Sequence, residues 1–321
     1  MKTLVINDTH LGVRRSAGTT MKSRQDLEDW MLAGFAQLLA IPHDRLIIAG
    51  DLFDTRVVSE HIKLEVMRML AKEDYIIMLG NHDLGGVNDS VTLSSAEFIA
   101  AAQGRPVVRE ATMADELYLV PHLFNQQLHE EAVARCPDNA LMICHCNIDN
   151  SLAKGDHSLN LSFDEIESLK QRGVKILATH EHHPRKFGPV QIIGNPFPSS
   201  IADCLGAGDK RCAIIEDGEI SFVPTWSRSD YQEMDWQDLH DTTAMFIRVT
   251  GECQVSETPA VVRAISDYRK KSSAFIVGSA VKTLTVTREL GEVEVDQFNI
   301  LDLVLQQVPE EFRSEVKSCI S

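Results

Sequence analysis

Residues 45–54 of the chain read RLIIAGDLFD, an apolar run that ends in a glycine and an acidic residue. Such a run is typical of a buried β-strand, because it is short and is closed by residues that favour turns. The chain begins in the same way with MKTLVINDTH, and residues 75–83 read YIIMLGNHD. Three strands, each followed directly by polar residues, are therefore predicted near the start of the chain.

Helical patterns separate these strands. Residues 22–40 place Leu27, Met31 and Phe35 on one face of a helix, and residues 59–72 have a similar apolar spacing. Strands and helices continue to alternate as far as about residue 223. This order favours an α/β fold, with a parallel or mixed sheet at the centre and helices outside it.

The remainder of the chain predicts a separate organisation. Residues 226–241 are polar and aromatic, and we interpret them as a linker. A β-α-β pattern over residues 245–286 predicts a small second domain. Residues 298–321 predict two short amphipathic helices broken at Pro309, which pack on the chain itself or dock on a partner.

Composition narrows the class of protein. The 321 residues, of which 44% are hydrophobic, have room for one large domain and one small one. No apolar run is long enough to span a membrane, and the first residues lack the apolar core of a signal peptide. Together with seven scattered cysteines, which we expect to be reduced, this predicts a cytoplasmic protein. The net charge of -16 argues against a nucleic-acid-binding protein.

Side chains that bind metals follow five of the predicted strands. Asp8 and His10 alternate on backbone expected to be extended, which would point both in one direction. Ligand sites of α/β sheets gather at the carboxyl ends of strands. Each short motif alone has a plain alternative, such as a turn or a core histidine, but the ordered set is informative. In chain order the candidates are Asp8, His10, Asp51, Asp54, Asn81, His82, His145, His180 and His182.

This donor set suits divalent cations such as Mn²⁺, Fe²⁺ or Zn²⁺. A pair of such cations can hold phosphate oxygens and stabilise an in-line displacement. The motifs DxH, GDxxD, GNHD and HxH, in this order over residues 2–195, resemble the calcineurin-like metallophosphoesterase superfamily. The resemblance implies a β-sandwich of mixed sheets flanked by helices, and a site for two divalent metal ions.

The resemblance also implies a role for each residue. Asp51 would bridge the two metals, His82 would donate a proton or contact phosphate, and Asp54 would orient His82. Thr179 stands where the family usually has glycine. The remaining ligands would be Asp8, His10 and His182 for one metal, and Asn81, His145 and His180 for the other.

Three segments resemble the SbcD-type nucleases rather than the phosphatases of the superfamily, which carry GDxxDRG and GNHE. They are DTHLG at residues 8–12, GDLFDT at residues 50–55 and IGNPF at residues 193–197. In length the chain is similar to the compact bacteriophage versions of these nucleases. This resemblance implies a manganese-dependent DNA exonuclease and endonuclease that forms a homodimer and works with an SbcC-like ATPase through that protein's coiled coil. Mg²⁺, Fe²⁺ and Zn²⁺ are alternative metals.

On this interpretation the chain has three parts. Residues 1–228 would be the nuclease domain, residues 240–290 a small α+β DNA-capping domain, and residues 295–321 the helices that dock on the partner. Basic residues beside the metal motifs either contact DNA phosphates or are ordinary solvated charges. They are Arg14, Arg15, Arg185 and Lys186.

Two other functions fit parts of the same pattern. The acidity favours a phosphodiesterase that acts on small molecules or cyclic nucleotides, whereas the extra C-terminal part disfavours it. A non-catalytic scaffold that only binds an ATPase is the second alternative, and the intact set of ligands argues against it.

Overall fold

The computed structural model of the chain describes residues 1–13, 18–84, 93–149, 159–206 and 209–284. In chain order its helices are α1 (Met21–Leu39), α2 (Glu60–Leu70), α3 (Asn81–Leu84), α4 (Ser95–Ala102), α5 (Gln126–Ala134), α6 (Phe163–Gln171) and α7 (Thr258–Lys271). Its strands are β1 (Lys2–Ile6), β2 (Arg45–Ala49), β3 (Tyr75–Met78), β4 (Val107–Val108), β5 (Thr112–Ala114), β6 (Leu117–Val120), β7 (Leu141–His145), β8 (Asn147–Ile148), β9 (Asn160–Leu161), β10 (Lys175–Thr179), β11 (Arg185–Phe187), β12 (Val190–Ile192), β13 (Lys210–Glu216), β14 (Glu219–Trp226), β15 (Tyr231–Asp235), β16 (Phe246–Thr250), β17 (Glu252–Gln254), β18 (Ile276–Ser279) and β19 (Lys282–Leu284).

Two mixed sheets make up the larger part of the fold. In the first sheet β1, β2, β3 and β4 are parallel, and β13 and β14 continue it in antiparallel fashion beyond β1. In the second sheet β6, β7, β10 and β12 are parallel, with β5 and β11 antiparallel at the edges. Within each sheet the loops that follow the parallel strands therefore lie at one end. The predicted α/β sandwich of mixed sheets flanked by helices is confirmed.

The central parallel strands of both sheets are buried on both faces, which explains why their sequences read as continuous apolar runs. Val5 and Ile47 point into the space between the sheets, where they pack in one cluster with Ile143 of β7. The neighbouring Leu4 belongs instead to the cluster beneath α1, α2 and α4. A third cluster, which includes Ile166 of α6, lies on the outer face of the second sheet. The layers are thus helix, sheet, sheet and helix.

The first two predicted helices are confirmed, with small differences at their ends. The hydroxyl of Thr20 accepts a hydrogen bond from the backbone N–H of Ser23 and so caps α1. Leu27, Met31 and Phe35 of α1 are buried, as their spacing predicts. Among the helices of the described residues, none has the length and apolar content needed to cross a membrane.

A small α/β unit follows the sandwich. Strands β15, β16 and β18 form a parallel three-stranded sheet, and α7 buries Val261, Ile265 and Tyr268 in the same core. The linker predicted over 226–241 is wrong for part of its length, because β15 pairs with β16. Only Met234 of β15 is buried, so the strand carries little apolar signal in the sequence. The C-terminal helices predicted over 298–321 lie outside the described residues.

An aromatic cluster joins the small unit to the sandwich. The ring of Trp30, on α1, lies 5.7 Å from that of Phe246 and 5.5 Å from that of Phe275. The same indole lies 5.7 Å from the ring of Phe197. Phe197 follows β12 in the segment IGNPF, so this segment lies between the sandwich and the small unit.

Candidate metal centre

Four of the predicted ligands adopt a left-handed backbone conformation directly after a strand. Their φ angles are +47° at Asp8, +44° at His10, +50° at Asp51 and +79° at His180. Such residues cost about 1–3 kcal/mol each and persist only where the surrounding structure holds them. The expectation of extended backbone at Asp8 and His10 is therefore wrong. Tight turns, not strand alternation, direct these side chains.

Backbone hydrogen bonds hold the first two loops side by side. The N–H of Asp8 donates to Gly50 O at 3.0 Å, and the N–H of His10 donates to Asp51 O at 3.1 Å. Gly50 has a φ of +95°, and a Cβ atom at this position would overlap the imidazole of His145. The glycine is therefore required both by the turn and by the neighbouring side chain.

The structure brings all seven predicted metal ligands together. Asn81 lies beside His145, with its Oδ1 atom 3.1 Å from Nε2 of that imidazole. The other six contribute to three overlapping groups of ligand atoms, each within 4.8 Å of one another. The groups are Asp8, Asp51, His145 and His180; Asp8, His10 and His182; and His10, Asp51 and His82.

Each of the two carboxylates has one oxygen fixed by the backbone and the other directed at histidines. Oδ2 of Asp8 accepts from the N–H of His180 at 2.9 Å, whereas Oδ1 is buried and has no hydrogen-bond partner among the described residues. Oδ1 of Asp51 accepts from the N–H of His82 at 2.9 Å, and Oδ2 lies 3.4 Å from Nε2 of His145. Both Asp8 and Asp51 occur in two of the groups, so the assignment of Asp51 as the bridge stays a prediction.

The unpaired atoms fit divalent cations. Nε2 of His10 and Nε2 of His182 face each other at 3.1 Å, as two ligands of one ion would. A buried carboxylate oxygen such as Oδ1 of Asp8, which has no hydrogen-bond partner in the described part of the chain, is costly unless a cation satisfies it. Carboxylate, imidazole and amide donors in one cluster suit Mn²⁺, Fe²⁺ or Zn²⁺.

Burial and charge set the protonation of the imidazoles. Burial lowers the pKa of His10 and, with the charge of His145, lowers the pKa of His180 to about 4, so both stay neutral and ready to bind a metal. Burial opposes the charged form of His145 as well, but the carboxylates of Asp51 and Asp8 raise its pKa to about 9. A cation that binds His145 must therefore displace a proton.

His82 and Asp54 meet in a way that differs from the prediction. Nδ1 of His82 lies 2.5 Å from the main-chain oxygen of Asp54. The carboxylate of Asp54 lies instead 3.6 Å from Nδ1 of His10. The carboxylate was predicted to orient His82, but the backbone carbonyl occupies that position.

Asp203 is a functional candidate that the sequence did not reveal. Its Oδ1 atom lies 2.7 Å from Nδ1 of His182, and its Oδ2 atom accepts from the N–H and hydroxyl of Ser199. Burial disfavours charge on His182, but the hydrogen bond to Asp203 raises the pKa of His182. Carboxylates in this position fix the tautomer and orientation of metal-binding histidines. Asp203 lies outside every motif, so no pattern signalled it.

Three further polar residues support the ligands. Asp83, the last residue of GNHD, accepts from the N–H groups of Gly80 and Asp51 at 2.9 and 3.0 Å. Burial and the charge of Asp51 raise the pKa of Asp83 to about 8. Nδ2 of Asn7 donates to Oδ2 of Asp8, and the buried Lys210 donates to the backbone oxygen of His182.

His122 also lies beside the centre, although it belongs to none of the motifs in the sequence. Its ring meets that of His145 edge-on at 6.2 Å between centroids. Its Nδ1 atom is buried and has no hydrogen-bond partner among the described residues. Burial and the charge of His145 lower the pKa of His122 to about 3. It follows β6, and a strand end was the only signal that could have found it.

The predicted DNA-contacting residues are less informative. Arg14 and Arg15 lie outside the described residues. Arg185 is exposed but forms an ion pair with Glu181 at 2.8 Å and donates to the backbone oxygen of Ile148. Lys186 is exposed on the edge strand β11.

Residues 1–191 match the family model described as calcineurin-like phosphoesterase. The match covers more than half of the chain, which therefore belongs to this family. It is a metallophosphoesterase whose Asp/His cluster binds divalent metal ions. Among solved structures the chain is similar to TT1561 of Thermus thermophilus, with a TM-score of 0.40 and 11% identity, covering 70% of this chain and 98% of that one. No curated protein matches the chain.

Proposed function

We propose that this metallophosphoesterase is a two-metal DNA nuclease of the SbcD type. It would cleave DNA at double-strand ends or hairpins, as an exonuclease and endonuclease, in recombination, repair or replication. Mn²⁺ is the metal that we propose, since the donor set mixes carboxylates with imidazoles.

The observation that carries this proposal is the position of the segment IGNPF at residues 193–197. At one end, the backbone oxygen of Gly194 accepts from Nδ2 of Asn7 at 2.9 Å, and Asn7 also donates to Asp8. At the other end, Phe197 packs on Trp30, which contacts Phe246 of the small unit. A segment similar to that of the SbcD nucleases thus connects the metal centre with the small unit. A second unit that packs in the same aromatic cluster as this segment supports a long substrate rather than a small one.

The chain's own residues have distinct tasks in the proposed reaction. Bound divalent cations supply a nucleophile at neutral pH, by lowering the pKa of water, and neutralise the phosphate. Asp8 and Asp51 would hold the cations through the carboxylate oxygens that face the histidines, and Asn81 would add a neutral ligand. A neutral ligand limits negative charge where an anionic phosphodiester must bind.

His82 is the proposed proton donor. Its Nδ1–H group donates to the main-chain oxygen of Asp54, which leaves Nε2 directed at the centre near Asp51. In its doubly protonated form His82 can give the Nε2 proton to the leaving oxygen. His82→Ala should therefore retain the metals and lose turnover.

The test is a nuclease assay on linear and hairpin DNA with Mn²⁺, comparing wild type with His82→Ala. A loss of about 10²–10⁴-fold in turnover is expected, the usual contribution of an acid–base group. His61→Ala, which removes an exposed histidine on α2, is the matched control and should cleave normally. Wild-type cleavage by His82→Ala would show that the role is misassigned, and loss of metal would show that His82 is a ligand instead.

The partners are part of the same proposal. Residues 295–321 would dock on the coiled coil of an SbcC-like ATPase, the small domain over residues 240–290 would cap DNA, and the nuclease domain would form a homodimer. Lys186 and Arg185, at the edge of the second sheet, would contact DNA phosphates. The six described cysteines are free and buried, which supports a cytoplasmic location. If the protein is viral, this would be the cytoplasm of its host. Co-purification with the ATPase, lost on removal of residues 295–321, is the expected result.

A second candidate is a phosphodiesterase that acts on small molecules or cyclic nucleotides with the same centre. The net charge of -16 favours it, because an acidic surface repels a DNA backbone. Hydrolysis of bis-p-nitrophenyl phosphate with no cleavage of duplex or hairpin DNA would support this candidate and exclude the nuclease.

A further inference from the structure

Thr179 makes three hydrogen-bond contacts beneath the metal centre. It is the last residue of β10 and lies directly opposite His145 of β7 in the parallel ladder, so their side chains share one face of the sheet. Its Oγ1 atom lies 3.0 Å from Nδ1 of His145, 2.9 Å from Ala49 O and 3.2 Å from Cys144 O. Thr179 and His145 are both fully buried.

These contacts determine where the proton of His145 lies. Ala49 O can only accept, and it is 3.1 Å from Nδ1 of His145, so Nδ1 carries the hydrogen. The hydroxyl of Thr179 donates its hydrogen to the backbone oxygen of Ala49 or Cys144. Its oxygen can therefore accept a hydrogen bond from the Nδ1–H group of His145. Nε2 is left without a proton in the neutral imidazole. This nitrogen faces Oδ1 of Asn81 at 3.1 Å and Oδ2 of Asp51 at 3.4 Å.

Packing fixes the ring as well as its proton. Gly50 lies against Nδ1 of His145 so closely that no side chain fits there. Thr179 contacts the same nitrogen, and the ring of His122 meets the imidazole edge-on. A glycine in place of Thr179 would supply neither the hydroxyl acceptor nor the contact.

We infer that Thr179 is a positioning residue, which together with Ala49 O holds the orientation and the Nδ1–H tautomer of His145 so that Nε2 can bind a metal. This residue acts through His145 and does not itself touch substrate. The inference rests on the metal centre of the proposed function, but it does not depend on DNA as the substrate.

The test is a calorimetric titration of the metal-free full chain with Mn²⁺ alone. Thr179→Val keeps the shape of the side chain and removes the hydroxyl, whereas Thr179→Ser keeps the hydroxyl and removes the methyl group. Thr250→Val is the matched control, because it removes a hydroxyl that donates to Met234 O in the small unit. Thermal unfolding of each metal-free variant separates lost stability from lost affinity.

Thr179→Val should weaken binding at one of the two Mn²⁺ sites by about tenfold, the lower bound for removing a partner of a metal-binding histidine. Thr179→Ser and Thr250→Val should stay within about twofold of wild type, since both leave the hydroxyl of residue 179 beside Nδ1 of His145. Equal affinities for Thr179→Val and Thr179→Ser would overturn the inference, even if both variants unfold at a lower temperature. If the wild-type protein binds Mn²⁺ but cleaves no DNA, the proposed nuclease function is wrong. The comparison of Mn²⁺ affinities among the Thr179 variants would still test the positioning role.

Discussion

Replacement of Asp203 by asparagine tests how the centre controls its histidines. In the structure one carboxylate oxygen contacts Nδ1 of His182, while the other accepts two hydrogen bonds from Ser199. In Asp203→Asn the amide oxygen must face the donors of Ser199, because an NH₂ group cannot accept them. The NH₂ group then faces Nδ1 of His182 and donates to it. The proton of His182 would move to Nε2, the nitrogen that faces His10 and the metal.

The expected loss follows from this change of tautomer. Partners of metal-binding histidines typically contribute 10- to 100-fold in metal affinity, which corresponds to about 1.4–2.7 kcal/mol of binding free energy. Asp203 is buried, so water does not replace the lost interaction. Asp203→Asn should therefore weaken Mn²⁺ binding by about 10- to 100-fold at the site that contains His182, and leave the other site nearly unchanged.

Calorimetric titration with Mn²⁺ measures both sites of the Asp203→Asn variant. Asp115→Asn is the control, since Asp115 is an exposed residue that pairs with Arg45 outside the metal centre. Its Mn²⁺ affinity should equal that of wild type. An Asp203→Asn variant with wild-type affinity at both sites would refute the account of His182.

Three further predictions use the same centre. Gly50→Ala should abolish Mn²⁺ binding at His145, because the new Cβ overlaps that imidazole. The control Gly218→Ala, also at positive φ but in open space, should bind Mn²⁺ normally. Equal Mn²⁺ affinities of the two variants would contradict this prediction. Because Asp51 and Asp8 raise the pKa of His145 to about 9, Mn²⁺ affinity should rise about tenfold per pH unit from pH 7 towards pH 9, and a flat titration profile would count against it. Mn²⁺ at about a hundred times the dissociation constant of a site should raise the free energy of unfolding by about 2.7 kcal/mol for each site filled, and chelation should reverse this in denaturant melts.

Much of the fold could be predicted from the sequence because strands buried on both faces and amphipathic helices leave strong patterns. Leu27, Met31 and Phe35 identified the inner face of α1 correctly. Strand β15 was not predicted, because its single buried residue, Met234, gives no alternation of apolar and polar residues. The composition of a polar segment does not reveal a strand whose pairing partner lies elsewhere in the chain.

The residues that meet at the centre could also be predicted, since each follows a strand and belongs to a short motif or a strand end that marks this position. Their geometry could not. The left-handed turns at Asp8 and His10 depend on hydrogen bonds to the loop at Gly50 and Asp51, which are distant in sequence. The support of His182 by Asp203 likewise arises from tertiary folding, and no local pattern encodes it.

The central claim is that two divalent cations bind among the side chains of Asp8, Asp51 and the surrounding histidines. Anomalous diffraction from crystals of the protein soaked in Mn²⁺ tests it most directly. We expect two peaks about 3.5–4 Å apart, one beside His10 and His182 and the other beside His145 and His180. A single peak, or peaks away from these residues, would contradict it.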